Sequence, residues 1–148
     1  MAISTQRKTV LDALKTWLEG ITTANGYQTT VAEVKRGIHM ADDMRNRPAI
    51  CFWNDKGPRD VYANTEMDRT LHVWVWGYID VQAGDYDNLD ALVSDAEKRI
   101  NAWRGSWPSI VINAWITDST YYEGGASDPL GIFEMEVFIK YRYTETSP

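Results

Sequence analysis

The sequence predicts a single α+β domain over residues 1–148, in which two helices pack on one face of an antiparallel or mixed β-sheet. Two segments repeat apolar residues at the 3.6-residue period of a helix. One long central segment alternates strictly between two sets of side chains, which is the period of a strand. The other apolar runs are short and separated by turn-forming residues. The predicted order of elements is therefore α-β-β-(β)-β-α-β-β.

The first helix is predicted over residues 5–23. Ser4 precedes it, and a serine hydroxyl can accept a hydrogen bond from an unpaired N–H at a helix start. Asn25-Gly26 follows, and such residues adopt the left-handed conformation that ends many helices. One apolar stripe of this helix is expected to pack on the sheet: Val10, Leu11, Leu14, Trp17, Leu18 and Ile21.

Strands and loops alternate between the first helix and the central strand. A first strand is predicted over residues 28–35, and a buried second strand over residues 49–53. Residues 37–48 carry charges of both signs and are expected to form a surface loop, and residues 54–58 a turn. Residues 59–66 fit either a short strand or an irregular loop.

The central strand is predicted over residues 67–81, longer than most strands of globular proteins. Both of its faces are apolar, although one face of a half-buried strand is usually polar. The aliphatic face is expected to meet the helices: Leu71, Val73, Val75 and Ile79. The aromatic face has no partner within the predicted arrangement: His72, Trp74, Trp76 and Tyr78.

The C-terminal part supplies a second helix and two more strands. The helix is predicted over residues 88–102, with Asp87 as its N-terminal cap. Strands follow at residues 110–117 and 130–144, joined by a polar loop at 118–129. The last strand alternates between a core face and a polar face, and the core face consists of Phe133, Met135, Val137, Ile139 and Tyr141.

Composition and charge argue against several classes of function. The net charge of −6 and the pI near 4.8 argue against a nucleic-acid reader with a broad basic face. The single cysteine, Cys51, excludes an internal disulfide framework. No apolar run approaches the roughly 20 residues of a membrane helix. The sequence thus predicts a protein that is made and folded in a cytosol without membrane contact.

No arrangement of reactive residues predicts a metal site, a cofactor or an enzyme. His39 and His72 are the only histidines, and neither has a second His or a Cys at ligand spacing, although Asp42 and Asp43 follow His39 closely. Cys51 lies in an apolar strand, where a thiol is usually inert. No serine lies in a Gly-x-Ser-x-Gly context, and the glycine pairs match neither phosphate-binding fingerprint.

Glu134 and Glu136 share one strand face, roughly 7 Å apart along the strand. That spacing would suit general acid–base catalysis. Alternating glutamates are also the ordinary means by which an exposed strand face stays soluble. Solvation is the favoured interpretation, and a hydrolase that uses the two carboxylates is an alternative.

The aromatic face of the central strand admits three interpretations. Trp74, Trp76 and Tyr78 fit a subunit interface, packing within the chain, or a platform that stacks bases or a small ligand. Base-stacking platforms pair their aromatics with a basic groove, whereas this chain is acidic. A subunit interface that also includes His72 is the favoured interpretation, because large exposed aromatic patches usually mark contacts with protein.

These elements and several local segments resemble the phage tail terminator proteins, also described as minor tail protein U-like or tail completion proteins. The resemblance spans most of the chain. The segments that carry it are Val10-Leu-Asp-Ala-Leu-Lys-Thr-Trp-Leu18, Thr30-Val-Ala-Glu-Val-Lys-Arg-Gly37, Arg47-Pro-Ala-Ile-Cys-Phe-Trp53, Trp76-Gly-Tyr-Ile79, Asn88-Leu-Asp-Ala-Leu-Val-Ser-Asp-Ala-Glu-Lys-Arg-Ile100 and Gly131-Ile-Phe-Glu-Met-Glu-Val-Phe-Ile-Lys-Tyr-Arg-Tyr143.

The resemblance implies a virion protein of the tail or neck, made in the host cytoplasm, that assembles as a hexameric ring. Such rings cap the tail tube, meet the head connector or stopper proteins, and let phage DNA pass through the lumen without specific binding. No enzymatic activity is implied. Head-completion proteins, tail-tube proteins and small ligand-binding α+β modules are the alternatives.

Roles for particular residues follow from the sequence within this interpretation. Glu134 and Glu136 are lumen-facing candidates, because carboxylates lining a channel would repel DNA phosphates. The loops at 36–47, 54–67 and 118–129 are expected to contact the tube or connector. Their candidate contact residues are Asp42, Asp43, Arg45, Arg59, Tyr121 and Tyr122. A further expectation is that four arginines cluster beside the central strand: Arg45, Arg47, Arg59 and Arg69.

Overall fold

In a computed structural model of the chain, which describes residues 5–82, 85–124 and 129–144, a six-stranded mixed sheet carries two helices on one face. The predicted α+β class is therefore confirmed. The helices are α1 (Gln6–Leu18) and α2 (Asp87–Asn101). The strands are β1 (Glu33–Arg36), β2 (Ala49–Lys56), β3 (Arg59–Ala63), β4 (Glu66–Asp80), β5 (Val111–Glu123) and β6 (Leu130–Thr144).

The central strand β4 organises the sheet. The strand order is β1-β2-β4-β6-β5, and β3 pairs with the start of β4 beyond the end of β2. Only β1 and β2 run parallel. β4 and β6 pair over their whole length, from Glu66 opposite Thr144 to Asp80 opposite Leu130. Because β4 is central, a side chain on either of its faces is surrounded by neighbouring strands.

The core lies between the sheet and the two helices. Leu71, Val73 and Val75 of β4 are fully buried there, which confirms the predicted aliphatic face. Gly77 continues this face, and a Cβ atom at this position would lie 1.9 Å from Cε1 of Phe133, the residue opposite on β6. The absence of a side chain at Gly77 therefore gives the Phe133 ring its place in the core.

The first helix ends at Leu18, earlier than the predicted 23. Gly20 follows in close contact with the guanidinium of Arg99 from α2, which itself lies 3.4 Å from the Trp17 ring centroid. The chain then makes a single 3₁₀ turn (Thr23–Asn25) that ends at Gly26, whose φ is +90°. At the start of α1, Thr5 is the N-cap and accepts from the N–H of Lys8. The predicted cap, Ser4, lies outside the described residues.

A buried carboxylate explains why the first strand begins later than predicted. Asp95 of α2 accepts hydrogen bonds from the N–H groups of Gln28 and Thr29 and from the Thr29 hydroxyl, at 2.6–3.1 Å. These bonds hold residues 28–30 as a loop against the helix, so that β1 starts only at Glu33. The predicted start at 28 was wrong because the β-prone threonines pair with a side chain instead of a strand.

Three further elements differ from their predicted limits. β2 extends to Lys56, and the ambiguous region 59–66 contains β3, so only Gly57-Pro58 interrupts that edge. β5 extends to Glu123 and replaces the first half of the loop predicted at 118–129. The residue at the N-cap of α2 is Tyr86, whereas Asp87 is the first helical residue. Within the described residues no helix is long and apolar enough to span a membrane.

Candidate functional site

The sheet face opposite the helices is rich in tryptophan. Residues paired directly across antiparallel strands share a face, and these pairs place Trp53 beside Trp74, Cys51 beside Trp76, and Trp115 beside Phe138. All four indoles are accessible to solvent to some degree, and Trp115 is 36% exposed. We call these four residues, Trp53, Trp74, Trp76 and Trp115, the tryptophan face.

Acidic side chains lie within the tryptophan face. Glu136 is directly opposite Trp74, Glu134 is opposite Trp76, and Asp118 lies beside Glu136 on β5. The predicted interface residues and the predicted lumen-facing glutamates therefore belong to one continuous surface.

His72 is buried beneath this surface. Its ring stacks on Phe138, at 4.8 Å between centroids, and is 6% exposed. Its Nδ1 lies 2.6 Å from Asp55 and its Nε2 lies 3.3 Å from Glu136, the latter at an angle unsuited to a hydrogen bond. The ring of His72, a predicted interface residue, is therefore enclosed by its own chain, between the carboxylates of Asp55 and Glu136.

Asp55 connects His72 to the tryptophan face. Its second oxygen accepts a hydrogen bond of 3.1 Å from the indole N–H of Trp74. Although burial works to raise it, the bonds from Trp74 and His72 hold the pKa of Asp55 below its ordinary value. The carboxylate therefore stays charged and fixes the orientation of the Trp74 indole.

Tyr78 lies under the loop that precedes β2 and is only 2% exposed. Its hydroxyl donates to the carbonyl oxygen of His39 at 2.7 Å, and burial raises the pKa of Tyr78 to about 12. Met44 of the same loop packs with Tyr78, Ala49 and Cys51. The expectation that the aromatic face has no partner within the chain was wrong at this end, because residues 37–48 form a third layer there.

An open cleft lies where this loop meets the tryptophan face. Its volume is about 330 Å³. The lining is mostly apolar and includes one carboxylate: Met40, Ala41, Trp76, Tyr78, Tyr122, Ile132 and Glu134. The Nε1 atom of Trp76 is buried without a hydrogen-bond partner. The cleft has the shape and apolar lining of a small-molecule site but few convergent polar groups.

The predicted tube or connector contacts divide between two ends of the sheet. Asp42, Asp43 and Arg45 lie in the loop that covers Tyr78, and Arg45 donates to the carbonyl oxygen of Asp42. Arg59 lies at the other end, where β3 pairs with the start of β4. Tyr121 and Tyr122 are on β5, opposite Phe133 and Ile132, so they project from opposite faces of the sheet.

The expected cluster of four arginines does not form. Arg47 pairs with Asp80 at 2.7 Å at the C-terminal end of β4, whereas Arg69 lies near the N-terminal end. Eleven residues of extended strand separate Asp80 from Arg69, roughly 36 Å. Arg45 and Arg47 both donate to carbonyl oxygens of the loop before β2, whereas Arg59 and Arg69 lie directly opposite each other on β3 and β4.

The described residues offer little for catalysis. Cys51 is fully buried, donates weakly to the carbonyl oxygen of His39, and burial raises the pKa of its thiol, which disfavours the reactive thiolate. No three His, Cys, Asp or Glu side chains within residues 5–82, 85–124 and 129–144 are grouped as metal ligands. Glu136 contacts His72, so the two predicted acid–base glutamates occupy different environments.

Three parts of this site were missed from the sequence. Trp53 was already inside the predicted second strand, but its position on the face of Trp74 followed only from the pairing of β2 with β4. Trp115 was hidden by two irregularities in the pairing of β5 with β6, which break simple alternation. Asp55 was assigned to a turn, and no sequence signal placed its carboxylate beside His72.

No protein-family model matches the chain, and no curated protein sequence matches it.

Proposed function

We propose that this chain is a structural subunit of a tailed bacteriophage, a tail terminator that forms a closed ring. The ring would cap the tail tube, join it to the head connector or stopper proteins, and leave a lumen for DNA. The observation that carries the proposal is the tryptophan face, a partly exposed set of four indoles on the sheet face that the helices leave uncovered.

The chemistry of this face favours contact with protein. Aromatic residues are enriched in the centres of interfaces, where a large rigid side chain contributes contact area at little entropic cost. Monomeric proteins seldom expose contiguous apolar patches of this kind. The face lies over the two central strands β4 and β6, which pair along fifteen residues each and give it a rigid base.

The division of contact candidates between two ends of the sheet fits a connecting element. The loop with Asp42, Asp43 and Arg45 lies at one end and the β3–β4 hairpin with Arg59 at the other. A ring built from sideways contacts would present one end of each subunit to the tube and the other to the connector. Function would then rest on surface complementarity and on closure of the ring.

Electron microscopy of the purified chain tests this proposal. A terminator is expected to form closed rings of uniform size that bind one end of isolated tail tubes. Long filaments would instead identify a tube protein. If the micrographs show only single subunits at every concentration, the proposal is contradicted.

The cleft beside Trp76 favours one alternative, a small ligand-binding module. Its mostly apolar lining and its volume of about 330 Å³ suit a small molecule with an apolar body. Titration of the chain with a metabolite panel, followed by tryptophan fluorescence, tests it. A monomer with a saturable change in emission would favour this alternative over the ring.

A further inference from the structure

The β3–β4 hairpin, residues 59–69, projects beyond the end of β2 and is called here the arm. All five residues of β3 are exposed, and Val61 is the most exposed large apolar residue, at 73%. We infer that the arm of one copy docks on the tryptophan face of the next copy. This inference rests on the proposed ring and names the two surfaces that would join in it.

The arm also contains three acidic residues, but its face with Arg59 and Arg69 carries positive charge without a counter-ion. Arg59 and Arg69 are directly opposite each other in an antiparallel pair, an arrangement that repels. Neither guanidinium forms an ion pair within the described residues. Arg69 donates to the Tyr143 hydroxyl at 3.4 Å, lies 5.3 Å from the centroid of that ring, and has a buried Nε without a hydrogen-bond partner. An external carboxylate beside the exposed Arg59 would relieve the repulsion between the two guanidinium groups.

The other face of the same sheet end provides an internal contrast. Arg142 binds both oxygens of Asp68, at 2.8 and 3.2 Å, and Lys140 lies 3.7 Å from the same carboxylate. Cations on that face are neutralised within the chain. The cations on the Arg59 face are not, and they flank the exposed side chain of Val61, which shares that face.

The tryptophan face has the complementary chemistry. Glu134 and Asp118 form no ion pair within the described residues, and Glu136 contacts only His72. Their carboxylates border the partly exposed indoles of Trp74 and Trp76. A guanidinium binds carboxylates through paired hydrogen bonds and stacks on indole rings, so arginine is the side chain best suited to this surface.

The arm cannot reach the tryptophan face of its own subunit. Arg69 and Trp76 are seven residues apart along β4, roughly 23 Å, and point to opposite faces of the sheet. The contact must therefore be made by a second copy. Two different surfaces that meet in this way form a head-to-tail contact, which generates a ring when the rotation closes.

Charge reversal tests the inference. Arg59→Glu and Glu134→Arg each change an exposed or partly exposed charge, and each is expected to raise the dissociation constant of the assembly at least tenfold by mass photometry. The double variant carries the reversed pair and is expected to recover most of the affinity. Arg104→Glu is the matched control, because Arg104 is exposed and belongs to neither the arm nor the tryptophan face, and it should assemble like the wild type.

A mixture of the two single variants gives the sharpest result. In an alternating ring each arm would meet a face of opposite charge, so an equimolar mixture is expected to assemble more tightly than either variant alone. Circular dichroism would verify that each variant is folded. Two results would overturn the docking inference without contradicting the proposed ring. In the first, neither charge reversal weakens assembly; in the second, the double variant fails to recover the affinity lost in the single variants. A wild-type chain that stays monomeric would overturn both.

Discussion

Trp74 and Glu136 lie directly opposite each other on β4 and β6, and Trp76 and Glu134 repeat the arrangement two residues further along. Aromatic and acidic side chains therefore share one surface, instead of forming an apolar interface beside a separate acidic channel lining. A partner for this surface needs both apolar area and positive charge.

Removal of an indole from the tryptophan face is expected to weaken assembly without unfolding the subunit. Trp74→Ala or Trp76→Ala should raise the dissociation constant of the ring by about thirtyfold, the equivalent of about 2 kcal/mol for a central aromatic contact. Light scattering over a dilution series measures this effect. Tyr121→Ala is the matched control, since Tyr121 projects from the helix side of the sheet. Rings of undiminished stability in both tryptophan variants would contradict the interface.

Gly77 is expected to tolerate no side chain. A Cβ atom there would overlap the fully buried Phe133 ring, so Gly77→Ala should lower the free energy of unfolding by about 1–3 kcal/mol through overpacking. Urea denaturation measures the change. Gly105→Ala is the control, because no atom lies within 4 Å of its added methyl group, and it should be close to neutral. Equal effects at the two glycines would contradict the packing described for the core.

Asp95 is expected to be the most important acid for the stability of the helix layer. Asp95→Ala leaves the N–H groups of Gln28 and Thr29 without their acceptor and should cost about 1–3 kcal/mol of unfolding free energy. Asp90→Ala, an exposed position on the same helix, should cost less than 1 kcal/mol. Thermal denaturation of the two variants measures both losses. A larger loss for Asp95→Ala would show that the buried carboxylate has a specific role beyond the general effect of removing a negative charge.

Asp68 is expected to stabilise the arm in a pH-dependent manner. The hydrogen bond from Arg142 holds the pKa of Asp68 below its ordinary value, so the native state favours the carboxylate. Its contribution is therefore present above the unfolded pKa of about 3.9 and is lost as the pH falls through the lower native value. Asp68→Asn should cost about 1 kcal/mol at pH 7, and this difference from the wild type should shrink as the pH falls below about 4.

Asp60→Asn provides the contrast for that experiment. Asp60 lies directly opposite Asp68 on β3, and the two carboxylates repel. Removal of the Asp60 charge should leave the unfolding free energy unchanged or slightly raised at pH 7. A loss of stability at Asp60 that equals the loss at Asp68 would show that the arm does not depend on the Arg142 contact.

Periodicity was sufficient for the elements whose burial follows their own sequence. The β6 strand was predicted over residues 130–144 and observed as Leu130–Thr144, because its alternation is unbroken and its core face is apolar throughout. The aliphatic face of β4 was predicted for the same reason. The N-terminal helix was overextended because Ile21 is buried in the core but lies beyond the helical end.

Periodicity could not predict contacts between segments that are distant in the sequence. Residues 28–30 have the sequence of a strand, but in the structure they bind the carboxylate of Asp95, which is 66 positions away from Thr29. The loop over Tyr78 has the composition of a solvated segment, but its Met44 side chain is buried with Tyr78, Ala49 and Cys51. The candidate site followed the same rule: alternation identified Trp74 and Trp76, whereas Trp53, Trp115 and Asp55 depended on strand pairing.

Native mass spectrometry of the full-length chain tests the central claim, that the tryptophan face joins copies of this protein in a closed ring. One dominant assembly is expected at the sixfold multiple of the 16.9 kDa subunit mass, and in Trp76→Ala it should dissociate at higher concentrations than in the wild type. A wild-type chain that remains at the mass of one subunit over the whole concentration range would contradict it.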